Sequence, residues 1–371
     1  MKFGFVVTNL AGGGAEKALL KLGALLTTRN HEVQLLLLEH RVEHAVPSGV
    51  ALHALTPPGR SLSKGMLGKR LAAFRLRRLH DRLAAHGPFD LVVSTLPFAD
   101  EVAIRAGLPR HWCRIANTLS AEIARLRATD PRKAERRRTR YRRLYGRRPL
   151  IAVSDGVAAD LRDALQLARA RIERIYNPFD FAAIRAAAAE PAPLPEGRYV
   201  IHVGRFSAQK RHDLLLDAWA RLDTPHRLVL LTPPDERLAR LIEARGLERR
   251  VTVAGFQPNP YPWIAGADLL VLSSDHEGLP NVLIEALALG TPVVSTDCPS
   301  GPREILGAAC PGCLVPVNDA GSLAQAMARA LADPPDPARV DLGPYAAERV
   351  AAAYERLAAE TTAGPNDRST T

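Results

Sequence analysis

Residues 273–296, SSDHEGLPNVLIEALALGTPVVST, carry two carboxylates eight positions apart, Glu277 and Glu285. Gly278 and Pro280 cannot both lie inside a regular helix. Glu277 is therefore expected in a loop after the strand read in DLLVLSS, with a helix starting near Pro280, where a missing N–H does no harm. Glu285 then falls inside that helix among Val282, Leu283, Ile284, Leu287 and Leu289, which reads as a helix covered on every side. Burying a carboxylate costs several kcal/mol or more unless hydrogen-bond donors meet it. Two donors suit Glu285, an arginine of the chain or the hydroxyl groups of a ligand.

A second cluster lies upstream, in HVGRFSAQKRHDLLLDAWA (202–220). Gly204 and Arg205 end a strand, and Lys210 and Arg211 precede a helix whose Leu214, Leu215, Ala218 and Trp219 face inward. Cations at the carboxyl end of a strand can stabilise charge that grows on a departing diphosphate. By themselves they are equally readable as surface charge. With Glu277 and Glu285 on later loops of the same sheet edge, the set reads as a diphosphate clamp plus hydroxyl acceptors. A third stretch, NLAGGGAEKALLKL (9–22), brings Gly12, Gly13 and Gly14 between a strand and a helix, where backbone can approach a ligand and unpaired N–H groups face an anion. A dinucleotide fingerprint requires Gly where Lys17 stands, and a P-loop requires Gly-Lys-Ser/Thr where the chain has Glu16-Lys17-Ala18. A tight turn with no ligand is the other reading of these glycines.

The elements that position these residues alternate throughout. Strand-like runs FGFVVT, VQLLLL, DLVVST, CRIAN and LIAVS occupy the first half, then YVIHVG, RLVLLT, VTVAGF, LLVLSS, PVVST and LVPV the second, with helical segments between. This is the α/β pattern of parallel sheets with crossover helices. With 371 residues, 47% of them hydrophobic, the chain can bury two cores. The predicted architecture is two doubly wound Rossmann-like domains facing across a cleft, with ligands beyond the carboxyl ends of the strands. The boundaries read as 1–180 for the first domain, an Ala- and Pro-rich linker at 181–196, 197–342 for the second, a last helix at 343–361 packing back on the first domain, and a polar, disordered tail at 362–371.

Charge is uneven. Residues 1–180 hold 32 Lys and Arg against 16 Asp and Glu, a net of +16, and the rest hold 18 against 23, a net of −5, which together make the overall +11. The basic residues concentrate in 60–83 and 125–148. The latter has twelve against Asp130 and Glu135, with Tyr141, Leu144 and Tyr145 at helical spacing. An anionic membrane surface is the expected partner, with the aromatics entering the headgroup layer. A solvated basic helix is the alternative, and no zinc finger or RNA-recognition motif supports nucleic acid. No run of 18 or more uncharged apolar residues could span a bilayer, and MKFGFVVTNL reads as a first strand with no secretory signal. Four cysteines fit a reducing cytoplasm. Cys310 and Cys313 read as buried thiols, since zinc requires ligands that no second pair supplies, and no metal site is expected.

The G-R-F-S-x-x-K stretch, the Glu277-x7-Glu285 spacing and GTPVVSTDCPSGPREIL resemble the retaining GT-B glycosyltransferases of family four, particularly bacterial enzymes that build lipid-linked glycans and lipopolysaccharide. The resemblance runs from AGGGAEK to the last helix. It implies a nucleotide-diphosphate sugar as co-substrate, a UDP-sugar being the expected donor, with no other cofactor. Glu285 would accept from the ribose, Glu277 would contact the transferred sugar, and Arg205 and Lys210 would hold the diphosphate beside Gly204. His276 and the backbone of Gly278, Leu279, Pro280 and Asn281 would line the sugar and phosphate, Phe256 and Gln257 the base, and Gly12–Gly14 would cover the donor from the first domain. It further implies a metal-independent, retaining hexosyl- or N-acetylhexosaminyltransferase at the inner face of the cell membrane, meeting a lipid-linked or lipopolysaccharide-type acceptor. The chain departs from the family where many relatives carry a His after the fifth strand; here the loop reads RIANTLSAE, with Asn117, Thr118 and Ser120. A UDP-sugar 2-epimerase on the same architecture is the alternative enzyme, and a nucleic-acid-binding protein the alternative outside enzymes.

Overall fold

The computed structural model describes residues 1–11 and 13–363. Its first sheet is built from β1 (Lys2–Val7), β2 (Glu32–Leu37), β3 (Val50–Ala54), β4 (Leu91–Thr95), β5 (His111–Ile115), β6 (Leu150–Ala152) and β7 (Ile172–Arg174). They are all parallel, in the order β3-β2-β1-β4-β5-β6-β7. The second sheet contains β8 (Tyr199–Val203), β9 (Arg227–Leu231), β10 (Val251–Val253), β11 (Leu269–Leu272), β12 (Val293–Thr296) and β13 (Leu314–Val315), also parallel, in the order β10-β9-β8-β11-β12-β13. Every residue of β1, β4 and β11 is buried. Crossover helices cover both faces of such strands, which is why they read as continuous apolar runs.

The chain divides into two units, one made of 1–178 and 344–371, the other of 179–343. In the second, Leu214, Leu215, Trp219, Leu323 and Met327 pack with Val200, Leu228, Leu230 and Leu269 in one core. Both sheets share a topological feature. In the first the chain fills β2 and β3 on one side of β1 before returning to its other side for β4, and in the second it does the same around β8 with β11. A parallel sheet opens a crevice for ligand at the carboxyl ends of the two strands where its order reverses. Here those pairs are β1 and β4, and β8 and β11.

Several expectations are corrected. β3 and β7 escaped the sequence reading, and both are edge strands of the first sheet. The stretch at 181–196 is not a bare linker. Its alanines build a helix, Phe181–Ala188, with Asp180 accepting from the Ala183 N–H (2.9 Å) and Ile184 buried, and it packs on the helices Tyr261–Ala265 and Asn281–Ala288. The last helix, Ala347–Ala363, runs two residues further than expected, buries Tyr354 and packs on the helix Gly14–Thr28. The remainder of the expected tail, 364–371, and Gly12 lie outside the described residues.

The helix Pro131–Tyr145 turns its aromatics inward, against the expectation that they enter a headgroup layer. Tyr141 and Tyr145 are fully buried; their hydroxyls donate to Glu122 Oε2 and to Asp100 Oδ2, each at 2.7 Å. Cys310 and Cys313 are joined as a disulfide where separate thiols were expected, and Cys113 and Cys298 are buried thiols. Among the described residues no helix is long and apolar enough to cross a membrane.

Candidate active site

At the switch point of the second sheet, the loops after β8 and β11 are sewn together. The chain leaves β8 through Gly204 and Arg205, makes a single 3-10 turn at Ala208–Lys210, and passes Arg211 in the left-handed region (φ 49°) into the helix His212–Ala220. Lys210 Nζ donates to Glu277 Oε1 at 2.6 Å, and the Ser274 hydroxyl donates to the same oxygen at 2.6 Å. The side chain of Glu277 is 9% exposed and that of Lys210 20%. Backbone ties hold the pair in place: Gln209 Nε2 donates to the His276 carbonyl (2.8 Å), the Asp275 N–H to the Gln209 carbonyl (2.9 Å), and the Ser273 hydroxyl to the Lys210 carbonyl (2.8 Å).

Gly204 gives this arrangement room. A Cβ there would lie 3.3 Å from Lys210 Cε and 3.5 Å from His202 Nε2, so the glycine leaves the lane through which Lys210 reaches Glu277. Arg211, which the sequence grouped with Lys210, has a different task. Its guanidinium is taken up by Asp213, by Asp275 (2.7 Å) and by Asn318; the Asp213 and Asp275 carboxylates hold its pKa above the ordinary arginine range, and it braces the loop. Arg205 is exposed and makes no hydrogen bond or ion pair among the described residues.

The loop after β12 closes the third side. The Glu277 N–H donates to the Pro299 carbonyl at 3.1 Å. Gly301, at φ 103°, packs so closely that a Cβ would run into Pro280, which fixes the Gly278–Pro280 backbone just ahead of the helix Asn281–Ala288. Gly278, Leu279 and Pro280 are buried, as is His276 at 5% exposure. Glu285, expected to be covered on every side, lies instead on a half-buried stripe with Asn281, Val282, Ala288 and Leu289, while Leu283, Ile284, Ala286 and Leu287 face the core. That stripe leaves a carboxylate accessible one turn into the helix. Tyr261 donates its hydroxyl to Glu285 Oε1 at 3.2 Å.

Beneath the site three uncharged groups replace what could have been charges. Burial holds His202 well below its ordinary pKa, and burial with the neighbouring Lys210 charge brings His212 to about 4. Burial and the Glu277 carboxylate push the Cys298 thiol up, so it remains protonated. The residues expected to line a base lie on the loop after β10; Phe256 is 57% exposed and Gln257 donates to the Ala254 carbonyl at 2.7 Å. In the other unit Gly13 precedes the helix Gly14–Thr28, with a backbone on which a Cβ would meet the Glu16 carboxylate. In the loop where many relatives of the resembled family carry a His, Thr118 precedes the helix Leu119–Thr129, and Asp160 Oδ2 accepts from the Leu119 and Ser120 N–H groups at 2.9 and 3.2 Å.

Residues 12–183 match the family model described as Glycosyltransferase Family 4, and residues 197–333 that described as Glycosyl transferases group 1. Over 338 residues, 90% of each chain, the sequence is 30% identical to the N-acetylgalactosamine-N,N'-diacetylbacillosaminyl-diphospho-undecaprenol 4-alpha-N-acetylgalactosaminyltransferase of Campylobacter jejuni. The chain belongs to glycosyltransferase family four. The fold of this glycosyltransferase is GT-B: it is similar to the sucrose-phosphate synthase of Thermosynechococcus elongatus (TM-score 0.71, 21% identity, covering 98% and 97% of the two chains). It is also similar to Anabaena HepE, solved in complex with UDP and glucose (TM-score 0.65, 20% identity, 98% and 96%).

Within the glycosyltransferase, four residues of the site were not singled out by sequence. Ser274 adjoins the Glu277 motif and was legible as a short polar neighbour. Gln209 and Gly301 lie inside quoted motifs, but their roles rest on contacts with distant loops. Tyr261 stands in NPYPW, where nothing local connects it to Glu285, 24 residues on.

Proposed function

We propose that this glycosyltransferase moves a sugar from a nucleotide-diphosphate donor, a UDP-sugar, to a lipid-linked or lipopolysaccharide-type glycan, with retention at the anomeric carbon and without a metal ion. The observation that carries this reading is the Lys210–Glu277–Ser274 junction at the β8/β11 switch point, with Glu285 accessible one turn into the following helix.

In this reading Glu285, oriented by Tyr261, accepts hydrogen bonds from the ribose hydroxyls. The diphosphate lies against Arg205 and Lys210 and against the backbone ahead of Asn281. When the bond from the anomeric carbon to the phosphate oxygen breaks, negative charge grows on the diphosphate, and the two cations stabilise it most at that moment. The departing phosphate oxygen takes the proton of the acceptor hydroxyl, whose oxygen bonds to the anomeric carbon on the face just vacated. Glu277 holds the transferred sugar. Its tie to Lys210 links sugar and diphosphate recognition, and Glu277 acts in this reading as a positioning group.

The donor agrees with the UDP in the Anabaena complexes, and the acceptor class with the diphospho-undecaprenol named for the Campylobacter relative and the lipopolysaccharide 1,6-galactosyltransferase of Salmonella typhimurium. In this reading the enzyme works on an anionic leaflet at the inner face of the cell membrane, a reading supported by the +16 charge of its first half. A panel of UDP- and GDP-sugars with lipid-linked glycan extract as acceptor tests the proposal. Consumption of a UDP-sugar with product in the lipid fraction is the expected result, and no donor consumed overturns it.

A further inference from the structure

The helix Met66–Ala84 has two apolar faces. Ala72, Ala73, Leu76 and Leu79 are buried against the first unit's core. On the opposite side Leu67, Leu71 and Phe74 are 79%, 48% and 59% exposed. Those three positions and Arg78 are spaced i, i+4, i+7 and i+11, one continuous stripe on a helix, which points away from the buried one. Arg70 and Arg75 flank the stripe and are exposed, and the Arg78 guanidinium lies 5.6 Å from the Phe74 ring centre. From 60 to 80 the chain has seven Lys and Arg and no Asp or Glu. The helix's one acid, Asp81, is paired to Arg77 at 2.8 Å.

A solvent-facing helix gains nothing from two leucines and a phenylalanine in water. A basic surface with an apolar ridge fits the boundary of an anionic bilayer, where the ridge enters the acyl region and the arginines reach lipid phosphates. A protein partner would also have to neutralise this charge, whereas an anionic leaflet does so everywhere it is met. We infer that the Leu67–Leu71–Phe74 ridge, with Arg70, Arg75 and Arg78, is the element by which the enzyme inserts into an anionic membrane. The inference rests on the membrane reading above and moves the contact away from the helix Pro131–Tyr145, whose tyrosines are buried.

Co-sedimentation with phosphatidylglycerol and with neutral phosphatidylcholine vesicles tests it, read without any donor so that vesicle binding and transferase activity succeed or fail separately. The wild type is expected to bind the anionic vesicles. The variant Leu67→Ser/Leu71→Ser/Phe74→Ser, which alters no buried position, is expected to bind about a hundredfold more weakly, with an unchanged circular dichroism melt. Arg136→Gln/Arg142→Gln/Arg143→Gln, on the helix Pro131–Tyr145, is expected to bind within a few-fold of wild type. The inference is overturned if the ridge variant binds as wild type does, if only the second variant loses binding, or if the wild type binds no anionic vesicle, whether or not the ridge then mediates self-association.

Discussion

Replacing Arg205 by alanine separates catalysis from folding more cleanly than any other change at the site. Arg205 is exposed and makes no hydrogen bond or ion pair among the described residues, so its removal is expected to shift stability by no more than about 0.5 kcal/mol. Lys210 is different. Its Nζ lies 2.6 Å from Glu277 Oε1 with side-chain exposures of 20% and 9%, and its loss leaves a nearly buried carboxylate with Ser274 as a remaining donor, at a cost of about 3 kcal/mol. For the reaction, removing one preorganised contact to developing charge costs about 2.7 to 4 kcal/mol, or about a hundredfold to a thousandfold in rate. Arg205→Ala is therefore expected to melt with wild type while kcat/KM, followed by release of the nucleoside diphosphate, falls about a hundredfold. Turnover within about threefold of wild type in a folded Arg205→Ala enzyme would refute Arg205 as a diphosphate ligand.

Glu277→Gln keeps the shape of the side chain but strands Lys210, so a loss of about 3 kcal/mol in denaturant unfolding of the second unit is expected, along with loss of transfer; unchanged stability would mean the ion pair contributes nothing. His212 titrates near 4 in the fold against 6.5 in the unfolded chain, which thus binds more protons between those values. Its contribution, about 3 kcal/mol, is present above pH 6.5 and lost as pH falls toward 4. Among the described residues both ring nitrogens lack hydrogen-bond partners, and the ring meets His202 and Phe206 edge-on, so His212→Phe is expected to fit and to flatten the acid limb of a melting-temperature profile; an unchanged limb contradicts the assignment. If Arg205 and Lys210 supply the cations at the diphosphate, as proposed, EDTA is expected to leave transfer intact, and abolition restored by manganese would contradict that role.

The strands of both sheet centres were legible because burial on both faces makes them uninterrupted apolar runs. β3 and β7 were not, since edge positions relax that demand: VALHA has no fully buried residue and IER is three residues with two charges. The carboxylates and cations were legible by type and spacing, and the loops carrying Lys210 and Glu277 do meet. What spacing could not supply was the partner of each stripe. Tyr141 and Tyr145 form a helical stripe whether core or membrane covers it, and Glu122 and Asp100, which decide the matter, lie 19 and 45 residues away. Glu285 shows the same limit in reverse, because an all-apolar neighbourhood in sequence hid a half-open face created by where the helix packs. The Ala- and Pro-rich stretch after Asp180 read as a linker because composition registers its prolines, yet the alanines ahead of Pro191 suffice for two turns of helix.

Calorimetric titration of the enzyme with UDP, GDP and dTDP, repeated on Arg205→Ala and Glu285→Gln, tests the donor site most directly. UDP is expected to bind the wild type, with affinity at least about tenfold weaker in each variant, since each removes a hydrogen-bonded or charged contact worth roughly 1.5 to 3 kcal/mol. Absence of binding by any diphosphate to the wild type, or equal binding of UDP by all three proteins, would contradict a nucleotide-sugar site at the β8/β11 switch point.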